Sequence, residues 1–255
     1  MKYIDEFQLE ECFIRAGVKR GDVLMLHSDA MVLAQLPAMS TEQRYQCLFD
    51  VLDRVLGPEG TLVLPTFTYS LTKGENFDPD HTPSAVGALT EYFRKMPTVL
   101  RSSDPIFSMA AKGKLATEFA NVAIDDCFGE NSAFGLLNKH NANLICLGCG
   151  FILTHTHYVE QKIPVNYRYF KTFNGTITRH GSTEAIQTRY FVRDLARKSE
   201  INLSSLQSRL CQQGLLSIIP VGRVALYAVR CHDFEQQARQ LIIEQPNALI
   251  VEGNE

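Results

Sequence analysis

Apolar and polar positions along the chain switch repeatedly between two rhythms. Residues 8–17, QLEECFIRAG, carry apolar side chains at amphipathic-helix spacing and stop at Gly17. GDVLMLHSD, residues 21–29, is an uninterrupted apolar run of strand length, the pattern of a strand covered on both faces. TEQRYQCLFDVLDRVLG returns to helical spacing, with Thr41 as candidate cap and Gly57 as stop. GTLVLPTFTYS predicts a second buried strand, broken by Pro65 near its C-terminal end. GALTEYFRKMP predicts a helix ended by Pro97, and NANLICLGCG a third buried strand. Strands alternating with helices predict an α/β class, a layered α/β/α fold around a central mixed sheet.

The last third changes rhythm. Residues 174–194 alternate apolar and polar, with turn signals at Asn174-Gly175 and His180-Gly181, and predict antiparallel strands. INLSSLQSRLCQQG reads as a helix, LLSIIPVGRVALYAVR as a final strand pair and CHDFEQQARQLIIEQP as a closing helix. The C-terminal part therefore adds antiparallel strands that extend the sheet or pack on it. No linker, repeat or low-complexity tract interrupts the chain, so residues 1–255 are expected to form one domain.

Composition narrows the function classes. The chain has 255 residues, 45% hydrophobic and 21% charged, with formal net charge -3. Nothing in that charge recommends nucleic acid or an anionic membrane as partner. No apolar run approaches a membrane span, and the N-terminus lacks a signal-peptide core, so a cytoplasmic location is expected. The seven cysteines are scattered; only Cys146 and Cys149 form a CxxC, without the second pair a zinc ribbon needs. Reduced thiols follow.

In α/β folds ligands bind at the carboxyl ends of the strands, and three polar clusters fall there. THTHYVEQ, residues 154–161, follows the third strand. On a helix His157 and Glu160 sit one turn apart on one face, so the carboxylate can hold the imidazole in one tautomer and make it a general base. His155 points elsewhere. A metal reading would use His155, His157 and Glu160, but no HExxH or second ligand cluster supports it. PTFTYS offers the hydroxyls of Thr66, Thr68 and Ser70, and LHSDA places His27, Ser28 and Asp29 at the first strand end. LRSSDPIFSMAAKG sets Arg101 beside Ser102, where it can bind an anion or fix a loop. No Walker A loop, GxGxxG or GxSxG is present.

Taken in order, LMLHSDA, GTLVLPTFT, PSAVGALTEYFRKMPTVLRSSDPIFSMAAKG, FGENSAF and THTHYVE resemble the motifs of the aminoglycoside 3-N-acetyltransferase family over about residues 10–165. The match departs at Asp29, where members often carry serine, and at Ala133, where they often carry proline. The resemblance implies an N-acyltransferase that uses acetyl-coenzyme A or another acyl-coenzyme A as co-substrate and an amino sugar as acceptor.

On that basis His157 is expected to take the amine's proton, Glu160 to orient it, and Thr66 to contact the thioester oxygen. His27, Ser28, Asp29, Arg101, Ser102 and Ser108 are expected to hold the coenzyme. Thr68, Glu130, Tyr167 and Arg168 are expected on the acceptor side, with no metal. The aromatic–basic run Tyr167, Arg168, Tyr169 and Lys171 favours a nucleotide-linked deoxyamino sugar of surface-polysaccharide synthesis over a free aminoglycoside, because a diphosphate and a base want cations and aromatic faces. A metal-dependent hydrolase and a non-catalytic coenzyme-binding protein are the alternatives. Self-association stays open.

Overall fold

The protein is described here by a computed structural model covering residues 3–37 and 39–251. In chain order the elements are α1 (Glu6–Arg15), β1 (Val23–Ser28), a 3-10 turn (Ala30–Gln35), α2 (Thr41–Leu56), β2 (Thr61–Pro65), a second 3-10 turn (Leu71–Lys73), α3 (Ala88–Arg94), β3 (Leu100–Arg101) and β4 (Met109–Gly113). There follow α4 (Ala116–Ala120), α5 (Ala133–Lys139), β5 (Asn143–Leu147), α6 (Thr156–Lys162), β6 (Arg168–Arg179), β7 (Ser182–Arg193), α7 (Ser204–Gln212), β8 (Ser217–Val221), β9 (Val224–Arg230) and α8 (Cys231–Glu244).

Seven strands form one sheet in the order β3-β4-β2-β1-β5-β9-β8. Its centre, β2-β1-β5, is parallel. β4 joins β2 and β9 joins β5 antiparallel, so the sheet is mixed, as expected. The continuous apolar runs have a direct cause. Leu24, Leu26, Leu62, Leu64, Ile145 and Leu147 face one apolar layer, while Val23, Met25, Val63, Leu144 and Cys146 face the other. Helices cover both layers, so neither strand face can be polar. Among the described residues no helix is long and apolar enough to cross a membrane.

Two local expectations are corrected. Helix α2 is capped by Ser40 rather than Thr41: the Ser40 hydroxyl accepts the Gln43 amide at 3.2 Å, and the Gln43 side chain accepts the Ser40 amide at 2.8 Å. Asn174-Gly175 is not a turn. It lies inside β6, opposite Gln187 and Ile186 of β7, and the hairpin turns only at His180-Gly181, both with positive φ. Gly175 is there for contact: a Cβ at this position would stand 2.8 Å from Cγ of Leu71, which packs against the strand.

The final strand pair extends the sheet as β9 and β8, whereas β6 and β7 form a separate two-stranded ribbon. Because β1, β2 and β5 run the same way, Ser28, Pro65 and Leu147 end at one edge. The 102–108 turn between β3 and β4 reaches the same edge, since Met109 pairs with Pro65.

Candidate active site

Helix α6 follows β5 after a loop whose glycines, Gly148 and Gly150, both have positive φ. The CxxC closes this loop: the Cys146 thiol donates to the Ile152 carbonyl at 3.2 Å. The Thr156 hydroxyl, also in the first turn, donates to the Leu153 carbonyl at 2.7 Å. One helical turn then sets His157 against Glu160, with Nδ1 2.7 Å from Oε2. Nδ1 donates to the carboxylate, so the Nε2 lone pair is the basic position. Nε2 has no partner among the described residues and keeps solvent access. Phe128, from the FGENSAF loop, packs edge-on to the imidazole, 5.3 Å between centroids. Burial pulls the His157 pKa down; the hydrogen bond to Glu160 opposes that, and the charge of Arg168 adds to the lowering. The ring is therefore neutral and able to accept a proton near pH 7.

His155 turns the other way. It is fully buried, its Nε2 lies 3.1 Å from Sγ of Cys231, and burial pulls its pKa down to about 3. The two imidazoles and Glu160 do not converge. Among the described residues no group of three His, Cys, Asp or Glu side chains is placed to hold a metal. The hydrolase reading built on His155, His157 and Glu160 is thereby corrected.

A second cluster gathers at the ends of β2 and β3. The Arg101 guanidinium donates to Thr66 Oγ1 at 3.1 Å and Ser108 Oγ at 3.2 Å. It also donates to the carbonyls of Thr66 at 2.6 Å, Thr82 at 2.5 Å and Pro79 at 3.2 Å. Burial lowers its pKa to about 10, which leaves it charged. Thr66 is fully buried and its hydroxyl donates to the Ser108 carbonyl at 3.1 Å. The Ser108 hydroxyl donates to the Thr66 carbonyl at 2.7 Å, and the Ser102 hydroxyl accepts the Met109 amide at 2.9 Å. Thr68 donates to the Pro105 carbonyl at 3.0 Å. The sequence reading gave these residues separate roles, whereas the structure gathers them and engages their polar atoms with one another or with nearby backbone groups.

At the end of β1, His27 is half-buried, its Nε2 lacks a partner, and burial lowers its pKa to about 4. Ser28 beside it is half-buried, and Asp29 caps the 3-10 turn by accepting the Met31 amide at 2.9 Å. Glu130 is exposed.

Tyr167 and Arg168 are not at a solvated edge. Both are buried, and Nε of Arg168 lies 2.7 Å from the same Glu160 oxygen that holds His157. Tyr169 and Lys171 remain exposed. Sequence reasoning missed Asp126, whose carboxylate accepts the Gln161 side chain of α6 at 2.9 Å and pairs with Arg189 of β7 at 2.6 Å. Its only signal was position, just ahead of FGENSAF.

The sequence profile of the aminoglycoside 3-N-acetyltransferases matches residues 25–242. Aminoglycoside N(3)-acetyltransferase IV of Salmonella sp. is 35% identical over 107 residues, 41% of this chain and 38% of that one. The SPbeta prophage-derived aminoglycoside N(3')-acetyltransferase-like protein YokD of Bacillus subtilis strain 168 is 26% identical over 172 residues, 58% of this chain and 61% of that one. The aligned stretches thus span less than two thirds of either relative. A solved structure, the binary complex of AAC-IIIb with CoASH, superposes with TM-score 0.81 at 18% identity, covering 95% of this chain and 97% of that one. At that identity the superposition establishes the fold alone, including the mixed seven-stranded sheet. The profile, matched across most of the chain, establishes the lineage: this protein belongs to the aminoglycoside 3-N-acetyltransferase family.

Proposed function

We propose that the protein transfers an acyl group from acyl-coenzyme A to an amine of an amino sugar, with aminoglycosides as the acceptor class. One observation carries the reading: His157 Nδ1 lies 2.7 Å from the fully buried carboxylate of Glu160, with Nε2 open beyond the carboxyl edge of the parallel strands. The free amine attacks the thioester carbonyl, its proton passes to Nε2, the C–S bond breaks, and the coenzyme's thiolate takes up a proton. A thioester is already activated, so no acyl-enzyme is required.

The coenzyme assignment is supported by family membership and by the CoASH held in AAC-IIIb. His27 and Ser28, at the end of the central strand β1, are the residues proposed to face it. An oxyanion role for Thr66 finds no support in its geometry, because its hydroxyl is buried and already bonded.

Aminoglycosides take precedence over a nucleotide-linked sugar for a physical reason. The aromatic–basic run was to bind a diphosphate and a base, yet Tyr167 and Arg168 face inward and Arg168 is matched to a carboxylate. The test is a panel of aminoglycosides and nucleotide-linked amino sugars with acetyl-coenzyme A, monitored by thiol release. Aminoglycoside-dependent release that falls about 10²- to 10⁴-fold in His157→Ala is expected. Release only with nucleotide-linked sugars would overturn the acceptor assignment, and coenzyme binding with no turnover on any amine would overturn the activity.

A further inference from the structure

We propose that Arg168 is a positioning residue for the proton-accepting histidine: its guanidinium, set on the same Glu160 oxygen that holds Nδ1, fixes the carboxylate under the ring and disfavours an imidazolium, leaving Nε2 free to act. This deepens the proposed acyltransferase reading and rests on it. Glu160 is entirely buried and Arg168 nearly so, with side-chain exposures of 0% and 1%. One oxygen, Oε2, faces both Nδ1 of His157 and Nε of Arg168, each at 2.7 Å. The second contact is ionic, since Nε of Arg168 makes no directed hydrogen bond, and Glu160 Oε1 has no partner among the described residues. The charge of Arg168, more than its shape, is what the cluster uses.

The surroundings supply no substitute. Tyr167, from the segment before β6, faces Glu160 with a hydroxyl that burial and the carboxylate keep protonated. Tyr190, from β7, faces Glu160 and Arg168, and burial holds it protonated as well. Beyond them lie Cys127, a thiol kept neutral chiefly by burial, and Arg197 on the far side of Tyr167. From α6 itself only His157 and Glu160 enter the cluster. Arg168, Glu160 and neutral His157 therefore sum to zero charge. Removing the cation leaves a buried net charge of about −1, which binds its first proton more tightly. That proton settles on Nε2 of the imidazole, and the base is lost.

The test compares wild type with Arg168→Gln, which keeps the length and removes the charge. Ring NMR of His157, assigned by its absence in His157→Asn, follows protonation without needing turnover. The protonation midpoint is expected to rise by roughly one to two pH units in Arg168→Gln. In parallel the acid limb of the kcat/KM profile should move upward by the same amount while KM for the coenzyme stays. An unmoved midpoint in folded Arg168→Gln overturns the proposal, even if stability falls. If Arg168→Gln does not fold, Arg168→Lys carries the test, because it keeps the charge. A midpoint close to that of wild type supports the role, and a displaced midpoint overturns it. If wild type turns over no substrate while the midpoint still rises in Arg168→Gln, the acyltransferase reading fails and the assignment of Arg168 to the dyad stands.

Discussion

Arg101 shows what a single half-buried guanidinium does to this fold. It ties the ends of β2 and β3 to the 79–82 loop through three carbonyls and two hydroxyls. Replacing it by Met leaves several of those acceptors without their donor, so Arg101→Met should lose about 1–3 kcal/mol. Urea unfolding without coenzyme measures this; unchanged stability with a raised KM for acetyl-coenzyme A would instead return Arg101 to coenzyme binding. His155 makes the complementary point for a neutral buried group. Unfolded, it binds a proton near pH 6.5, but folded it resists until about pH 3. The unfolded state therefore holds more protons between those values, and stability, complete above about pH 6.5, falls as pH drops through the window. By pH 5 this residue alone costs about 2 kcal/mol. His155→Asn should shrink the difference in urea midpoint between pH 7 and pH 5, leaving the share owed to His27.

At the scale of elements, strand and helix types were legible wherever burial on both faces forced a continuous apolar run, as in Val23–Leu26 and Leu62–Leu64. His157 and Glu160 were legible because their spacing within one helix fixes their geometry. What stayed hidden depends on contacts between distant segments. Gly175 looks like a turn residue until Leu71 is seen against it, and Arg168 looks solvated until Glu160 is seen beneath it. Thr66 was assigned to the thioester and Arg101 and Ser108 to the coenzyme, because sequence could not show that the three use up one another's hydrogen bonds. The Gly175 contact is testable. Gly175→Val forces a branched side chain onto Leu71 and should cost about 1–3 kcal/mol, with the loss read by thermal unfolding. A neutral result would mean that the ribbon and the Leu71–Lys73 turn can separate freely.

Across the whole molecule, one sheet carries two apolar layers, and the β6–β7 ribbon joins it through scattered contacts. These include the bridges Phe77 to Ile177 and Asp126 to Arg189, and the Arg168–Glu160 pair. Because the ribbon supplies a buried ion to the α6 cluster, it should not melt on its own. Far-UV circular dichroism and tyrosine fluorescence are expected to give superimposable thermal transitions, as a single cooperative unit requires. An early transition in one signal would mark the ribbon as a separate unit and divide the chain.

The chemistry of this fold is unevenly distributed along the chain. The His157 imidazole, the carboxylate that holds it and the guanidinium that holds the carboxylate all fall within residues 157–168, whereas His27, Thr66 and Arg101 come from distant strand ends. Transplanting this one short segment would therefore carry all three partners with it and leave the groups at the strand ends untouched.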